Sequence, residues 1–125
     1  MSARILTVDD SMSIRKMIEF ALKSKGYVVT TAADGQEGLE ILERDERFEL
    51  LVLDINMPRM DGLTLLKNVR QRPEWKKLPV LMLTTEGQDA DRDQALELGA
   101  TDYMVKPFKP TELIERVAKL LNRKS

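Results

Sequence analysis

The sequence contains no cysteine and no histidine among its 125 residues. Without cysteine there is neither a disulfide nor thiol chemistry, which agrees with a reducing compartment. Without histidine the chain has no imidazole for acid–base catalysis or metal binding. Any chemistry must therefore use carboxylates, hydroxyls and lysines.

Long apolar runs and a surplus of one charge are also missing. The amino terminus lacks the apolar stretch and small-residue cleavage site of a signal peptide. No run approaches the roughly 18 residues that span a membrane. A net charge of −1 gives no general attraction to nucleic acid or acidic membranes. We therefore expect one cytoplasmic domain covering residues 1–125, with no direct nucleic-acid binding and no membrane insertion.

Five short apolar runs alternate along the chain with five longer amphipathic segments. Most of the runs are continuously apolar, which is typical of strands covered on both faces of a parallel sheet. The second run is the most polar and is a candidate edge strand. The runs are Arg4–Val8, Val28–Thr31, Leu50–Leu53, Val80–Leu83 and Asp102–Val105.

The amphipathic segments have the apolar spacing of helices. The fourth, Gln88–Leu98, has few apolar residues, so we expect it to be the most mobile helix. Gly26 and Gly99 stand where a left-handed residue ends a helix, and Asp61 stands at an N-cap position. The alternation of strands and helices predicts an α/β fold with right-handed crossovers.

Polar residues gather where the apolar runs end. Ligands of open parallel sheets bind beyond the carboxyl ends of the strands, so these residues are the candidates for function. The second run ends in Thr31–Ala33 and offers no ionic group. The other runs end at Asp9 and Asp10 (first), Asp54 (third), Thr84 (fourth) and Lys106 (fifth).

This group of residue types predicts a site for a divalent cation and a phosphate. Clustered carboxylates repel each other, and Mg²⁺ with its preference for oxygen ligands relieves the repulsion. A carboxylate is able to attack phosphorus, and a lysine adds positive charge for the phosphoryl oxygens. Each residue alone has an ordinary alternative. Asp9 or Asp10 would cap a helix, Asp54 would lie in a turn, Lys106 would be a surface lysine and Thr84 a strand end.

The motifs together resemble the receiver domains of two-component response regulators, most of all the single-domain chemotaxis regulators. The resemblance covers the whole chain. It implies a doubly wound, five-stranded parallel sheet of order 2-1-3-4-5 with five helices, the flavodoxin-like or CheY-like fold. The motifs are Asp9–Ser11, Asp54–Pro58, Met60–Gly62, Leu83–Thr85 and Gly99–Phe108.

The resemblance also implies the roles of individual residues. Asp54 would be the phosphoacceptor, and Lys106 would contact the phosphoryl group. One Mg²⁺ per chain would be bound directly by Asp10, Asp54 and the backbone carbonyl of Asn56, with Asp9 acting through water. The Lys106–Pro107 bond would be cis.

Switching is implied by the same resemblance. Thr84 would move toward the phosphoryl group, and the ring of Tyr103 would turn inward. Without the resemblance, the favoured interpretation of Tyr103 is a partly buried aromatic at a sheet edge. Asn56 and Glu86 would tune dephosphorylation, and we expect a short-lived phospho-form. The output face would consist of the fourth helix, the fifth strand and the fifth helix.

The expected partners follow from these roles. A histidine kinase would donate the phosphoryl group, because the chain has no histidine. The output partner would be a protein such as a flagellar-motor switch component, and a phosphatase is a further candidate partner. The chain would be a monomeric signalling protein in chemotaxis or motility, catalysing only its own phosphorylation and dephosphorylation.

Three alternatives stay open at this point. A haloacid-dehalogenase-type phosphatase also uses aspartate, Mg²⁺, threonine and lysine, but it needs a general acid where this chain has Asn56. A receiver from a DNA-binding regulator is a second alternative, and Arg92, Glu112 and Arg116 would support its dimer. A nucleotide-binding flavodoxin-like module is a third, although no glycine-rich phosphate loop follows the first run.

Overall fold

Strands and helices alternate in the computed structural model, which describes residues 2–45, 47–85 and 87–122. The strands are β1 (Arg4–Val8), β2 (Val28–Ala32), β3 (Leu50–Asp54), β4 (Val80–Thr85) and β5 (Asp102–Lys106). The helices are α1 (Met12–Lys23), α2 (Gly35–Arg44), α3 (Gly62–Gln71), α4 (Asp89–Glu97) and α5 (Pro110–Asn122), with a short 3₁₀ helix at Pro73–Trp75.

The strands form one parallel sheet in the order β2-β1-β3-β4-β5. This confirms the predicted fold and places the polar second strand at an edge. Since β1 and β3 are neighbours, as are β3 and β4, the ends of β1, β3 and β4 lie side by side. Four of the strands extend one or two residues beyond their predicted ends, and three of these extensions place Asp54, Thr84 and Lys106 within β3, β4 and β5.

Two hydrophobic cores lie on opposite faces of the sheet. One core packs α1 and α5 through residues such as Ile18, Leu22 and Val117. The other packs α2, α3 and α4 through residues such as Leu42 and Leu66. Burying one such side chain contributes about 1.5–3 kcal/mol, so the two cores hold the strand ends in a fixed frame.

Side chains at the helix ends explain how the functional loops are held. Ser11 caps α1 by accepting a hydrogen bond from the Ile14 N–H, so the cap is not Asp9 or Asp10. Asp61 caps α3, as predicted, through the Thr64 N–H at 2.8 Å. The predicted left-handed glycines are also confirmed, with φ of 88° at Gly26 and 106° at Gly99.

Helix α4 is weakly anchored, as its composition predicts. Ala95 is its buried residue, and the mean hydropathy of the helix is low. Its carboxyl end is held by Arg70 of α3, whose guanidinium donates to the carbonyl oxygens of Gly99 and Trp75, both at 2.9 Å. Within the described part of the chain, no helix combines the length and the apolar character needed to cross a membrane.

Candidate functional site

Three carboxylates converge at the carboxyl end of the sheet. Asp9 and Asp10 follow β1, and Asp54 is the last residue of the neighbouring β3. One carboxylate oxygen of each lies within 4.8 Å of the others. The structure thus brings together the three acids that the sequence placed at strand ends.

Most of the buried polar side chains of the described residues belong to this cluster. Asp9 is fully buried, Thr84 is 2% exposed and Asp54 is 4% exposed, and the fourth such residue is Thr7. Burying a carboxylate is costly unless a cation and hydrogen bonds compensate it. Because burying Asp9 and Asp54 costs free energy, their burial indicates a functional role.

Lys106 supplies part of that compensation. Its ammonium group lies 3.0 Å from Asp9 Oδ2 and 3.2 Å from Asp54 Oδ1, so it bridges the two buried acids. Burial alone would lower the pKa of Lys106, but the hydrogen bond to Asp9 and the charge of Asp54 outweigh it and raise the pKa. Lys106 is therefore a fixed positive charge and not a proton donor near neutral pH.

One lysine does not balance three aspartates. Burial and the neighbouring charge of Asp9 raise the pKa of Asp54 from 3.8 to about 6, although Lys106 opposes the rise. The folded protein therefore resists ionising Asp54. An additional cation at this place would lower that pKa again.

The turn after β1 is held by hydrogen bonds around Asp9. Its Oδ1 accepts from the Ser11 N–H at 2.9 Å, and its backbone carbonyl accepts from the Arg15 guanidinium at 2.7 Å. Asp10, in contrast, is exposed. Hydrogen bonds thus hold Asp9 in place, whereas Asp10 is accessible to solvent.

The loop after β3 approaches Asp54 so closely that it requires glycine. The Gly62 N–H donates to the Ile55 carbonyl at 2.7 Å. A Cβ atom at Gly62 would overlap the carbonyl group of Asp54. Asn56 lies in this loop two residues after Asp54 and is exposed. The start of α3 is thereby packed against the backbone of the candidate phosphoacceptor.

Thr84 and Tyr103 lie on the neighbouring strands β4 and β5. The Thr84 hydroxyl donates a long hydrogen bond of 3.5 Å to the Met104 carbonyl. Tyr103 is half-buried on the edge strand, and the Arg92 guanidinium lies 5.4 Å from the centre of its ring. Glu86, the second residue predicted to tune dephosphorylation, lies outside the described residues.

One pair of residues at this end of the sheet was not anticipated. Asp34 follows β2, the strand that was read as having no ionic group at its end, and both of its carboxylate oxygens accept hydrogen bonds from Arg59. Arg59 belongs to the loop after β3, so the pair joins two loops beside the acidic cluster. The aspartate after Ala33 was the available signal, but nothing in the sequence pairs it with an arginine 25 residues away.

The donor set fits a hard divalent cation. Carboxylate oxygens are the ligands that Mg²⁺ prefers, and a cation would relieve the repulsion that raises the pKa of Asp54. The chemistry does not require a deep cavity. An open cavity of about 400 Å³ lies at the amino ends of the strands instead, lined by Phe48 and residues 73–78, and we assign it no chemistry.

Comparison with known proteins agrees with this geometry. Residues 5–118 match the model of the response regulator receiver domain family. A parallel α/β fold with an acidic cluster at its carboxyl end is typical of a receiver-type signalling protein, and the family match assigns the chain to that class. The chain belongs to the response regulator receiver domain family.

Sequence relatives include transcriptional regulators about twice the length of this chain. The chain is 48% identical over 120 residues to the probable transcriptional regulator ycf27 of Cyanophora paradoxa, covering 96% of this chain and 48% of that protein. It is 43% identical over 123 residues to the alkaline phosphatase synthesis transcriptional regulatory protein PhoP of Bacillus subtilis, covering 98% of this chain and 50% of that protein. The chain thus spans about half the length of these curated relatives.

Structural relatives include proteins of the same length. A putative response regulator from Chloroflexus aurantiacus superposes with a TM-score of 0.92 at 40% identity, covering 98% of this chain and 99% of that one. The chemotaxis response regulator CheY4 of Vibrio cholerae superposes with a TM-score of 0.89 at 41% identity, covering 96% and 99%.

Proposed function

We propose that the chain is a switch that accepts a phosphoryl group on Asp54 and changes its surface in response. The observation that carries this proposal is the bridging position of Lys106, 3.2 Å from Asp54 and 3.0 Å from the fully buried Asp9. A carboxylate oxygen of Asp54 attacks the phosphorus of the donor, and the bond from phosphorus to the donor's leaving group breaks. In the cell the donor is a phosphohistidine of a partner kinase.

The residues of the cluster have separate tasks in this reaction. Asp10, Asp54 and the Asn56 carbonyl would hold one Mg²⁺, and Asp9, fixed by Ser11 and Lys106, would act through water. Bound Mg²⁺ supplies positive charge that offsets the charge on the transferring phosphoryl oxygens. Lys106 contacts the same oxygens from the β5 side.

The switch follows from the change of charge at Asp54. Phosphorylation adds about −1.5 to −2 charges and new acceptor oxygens. The Thr84 hydroxyl, which has only a long hydrogen bond to lose, turns toward them. Tyr103 then moves inward, and the surface of α4, β5 and α5 changes because α4 is weakly anchored. Asn56 and Glu86 tune the return reaction, and the phospho-form is short-lived.

Phosphorylation by acetyl phosphate tests the chemistry. We expect the intact protein to gain one labile phosphoryl group with Mg²⁺ present, because the acidic cluster needs the cation before it admits another anion. Mass spectrometry with and without Mg²⁺ measures this, and Asp54→Asn is the control that should gain nothing. An adduct that persists in the variant, or no adduct in the wild type under any condition, would sink the proposal.

The relatives suggest two candidates for the output of this switch. We favour the regulatory half of a transcriptional regulator, since the curated relatives described above are such proteins and this chain spans about half their length. The second candidate is a stand-alone chemotaxis or motility switch acting on a partner such as a flagellar-motor component. The CheY4 structure supports this candidate, because the match covers 99% of the CheY4 chain. Cytoplasmic location, a partner phosphatase and a single domain over residues 1–125 stay predictions.

Dimerisation on phosphorylation distinguishes the two outputs. The face of α4, β5 and α5 exposes Leu96 and Val105 beside charges of both signs, including Arg92 and Glu112, as a self-complementary interface requires. We expect phosphorylated chain to dimerise in light-scattering chromatography and Val105→Asp to prevent it. Phe20→Ser on α1, where Phe20 is 80% exposed, is the matched control and should still dimerise. A phosphorylated wild type that stays monomeric would favour the stand-alone switch.

A further inference from the structure

The loop that carries Asn56 is fastened to the loop before α2. The Gly35 N–H donates to the Met60 carbonyl at 3.1 Å, and a Cβ atom at Gly35 would overlap that carbonyl oxygen. Beside this contact, the Arg59 guanidinium donates to both carboxylate oxygens of Asp34, at 3.0 and 3.2 Å. Backbone and side chains therefore join the two loops at the same point.

Arg59 has an unfavourable backbone conformation that the contact with Asp34 helps to hold. Its φ is 66°, and among the described residues it is the one non-glycine residue with positive φ. Such a conformation costs on the order of 1 kcal/mol or more and persists only where the surroundings hold it. Two parallel hydrogen bonds to one carboxylate fix the guanidinium in position as well as in charge.

Asp34 is a rigid anchor for this arginine. It is the N-cap of α2, where its Oδ1 accepts from the Glu37 N–H at 2.9 Å. Its side chain is only 13% exposed, whereas that of Arg59 is 61% exposed. The hydrogen bonds from Glu37 and Arg59 also lower the pKa of Asp34, so its carboxylate stays ionised at neutral pH. The loop after β3 is thus attached to a fixed point of the fold.

The position of the Asn56 carbonyl depends on this attachment. On one side of Asn56, the Ile55 N–H donates to the Leu83 carbonyl at 3.4 Å, and the Ile55 carbonyl accepts from the Gly62 N–H. On the other side Met57 is partly buried against the core, and the next hydrogen bonds to another loop are those of Arg59 and Met60. Asn56 and Pro58, between them, are exposed. Removing the ion pair of Arg59 would therefore loosen the exposed part of the loop that carries the carbonyl, while Met57 and the Gly35–Met60 hydrogen bond keep the loop folded.

We propose that the ion pair between Arg59 and Asp34 is a clamp that positions the Asn56 carbonyl for a divalent cation. This inference rests on the proposed function, since it assumes that Mg²⁺ binds at the acidic cluster. Arg59 and Asp34 are positioning residues and do not contact the cation. The clamp makes Mg²⁺ affinity depend on a pair of residues outside the acidic cluster.

The sign of the effect separates a clamp from simple electrostatics. Removing the positive charge of Arg59 would strengthen Mg²⁺ binding if charge alone mattered. Loss of the clamp would weaken Mg²⁺ binding, because the Asn56 carbonyl must then be ordered during binding. When Arg59 is replaced, the loss of its charge would therefore raise the Mg²⁺ affinity, whereas the loss of the clamp would lower it.

Arg59→Asn and Asp34→Asn test the clamp with little other damage. Asparagine tolerates the left-handed conformation at position 59 and still caps a helix at position 34. We expect each variant to bind Mg²⁺ about fivefold more weakly by isothermal titration calorimetry, and the double variant to be no weaker than either. Unchanged or tighter binding by Arg59→Asn, or additive losses in the double variant, would overturn the proposal.

Arg47→Gln is the matched control. Arg47 also pairs with an aspartate, Asp45, but in the connection that precedes β3, at the opposite end of that strand from Asp54. We expect its Mg²⁺ affinity to equal that of the wild type, and a fivefold loss there would overturn the clamp. If the wild type itself bound no Mg²⁺, the proposed metal site would fail. Normal binding by the wild type with unaffected clamp variants would contradict the clamp alone.

Discussion

Replacing Asp54 by asparagine should stabilise the metal-free protein by about 3 kcal/mol at pH 7.5. The reason is that burial and the charge of Asp9 raise the pKa of Asp54 from 3.8 to about 6 in the folded state. A rise of this size corresponds to about 3 kcal/mol of folding free energy that ionisation removes. Asparagine has nearly the same shape and carries no charge, so the repulsion disappears.

The effect depends on pH in a defined direction. Below about pH 4 the carboxyl group is protonated in both states, so the wild type has no penalty there. Between about pH 4 and 6 the unfolded chain releases the proton while the folded protein keeps it, and wild-type stability falls as pH rises. Above pH 6 the full penalty applies. The advantage of the variant should therefore be absent near pH 3.5 and complete by pH 7.5.

Urea unfolding in the presence of a chelator measures this difference. Asp61→Asn is the matched control, because it makes the same chemical change at the cap of α3, where asparagine is also a good cap. We expect that control to change the free energy of unfolding by less than about 0.5 kcal/mol. A less stable Asp54→Asn at pH 7.5 would show that the bridge to Lys106 outweighs the repulsion. Added Mg²⁺ should stabilise the wild type and so reduce the difference in free energy of unfolding between it and Asp54→Asn.

The parts of the site that the sequence predicted are those that the backbone alone brings together. Neighbouring parallel strands end at the same edge of a sheet, so Asp9, Asp54 and Thr84 meet without any help from their side chains. The continuous apolar runs predicted burial on both faces, and Leu51 and Leu81 are fully buried. For these residues the pattern of the sequence is enough to predict burial and position at the sheet edge.

The parts that could not be predicted depend on long side chains and on loop conformation. Arg59 reaches Asp34 across 25 residues of sequence, and Arg70 reaches Gly99 across 29. Neither contact follows from periodicity, because arginine has many rotamers and the loops have no repeating geometry. The sequence also left the cap of α1 open between neighbouring residues, and Ser11 is the cap because α1 begins at Met12, while Asp9 pairs with Lys106. Local propensity allows each of these residues to cap a helix, so the sequence alone did not distinguish between them.

Lys106→Met should have the opposite effect on stability to Asp54→Asn, because it removes a cation and not an anion. Asp9 is fully buried, and its Oδ2 loses the ammonium group at 3.0 Å. Removing one partner of a buried ion pair typically costs about 3–5 kcal/mol. Asp54 limits the cost by taking up a proton, since its pKa is already raised to about 6 and would rise further. We therefore expect a loss of about 3 kcal/mol at pH 7.5 without metal.

Mg²⁺ distinguishes this electrostatic loss from a packing defect. A cation bound by the three carboxylates replaces the missing charge, so saturating Mg²⁺ should restore most of the stability of Lys106→Met. It should not restore phosphorylation by acetyl phosphate, whose rate should stay at least about 100-fold below that of the wild type. Lys109→Met, at an exposed lysine three residues away, is the control and should change neither property. Stability that Mg²⁺ fails to restore would mean that the aliphatic part of Lys106 and not its charge supports the fold. Phosphorylation at the wild-type rate would remove Lys106 from the mechanism and leave Asp54 and the metal ligands to account for it.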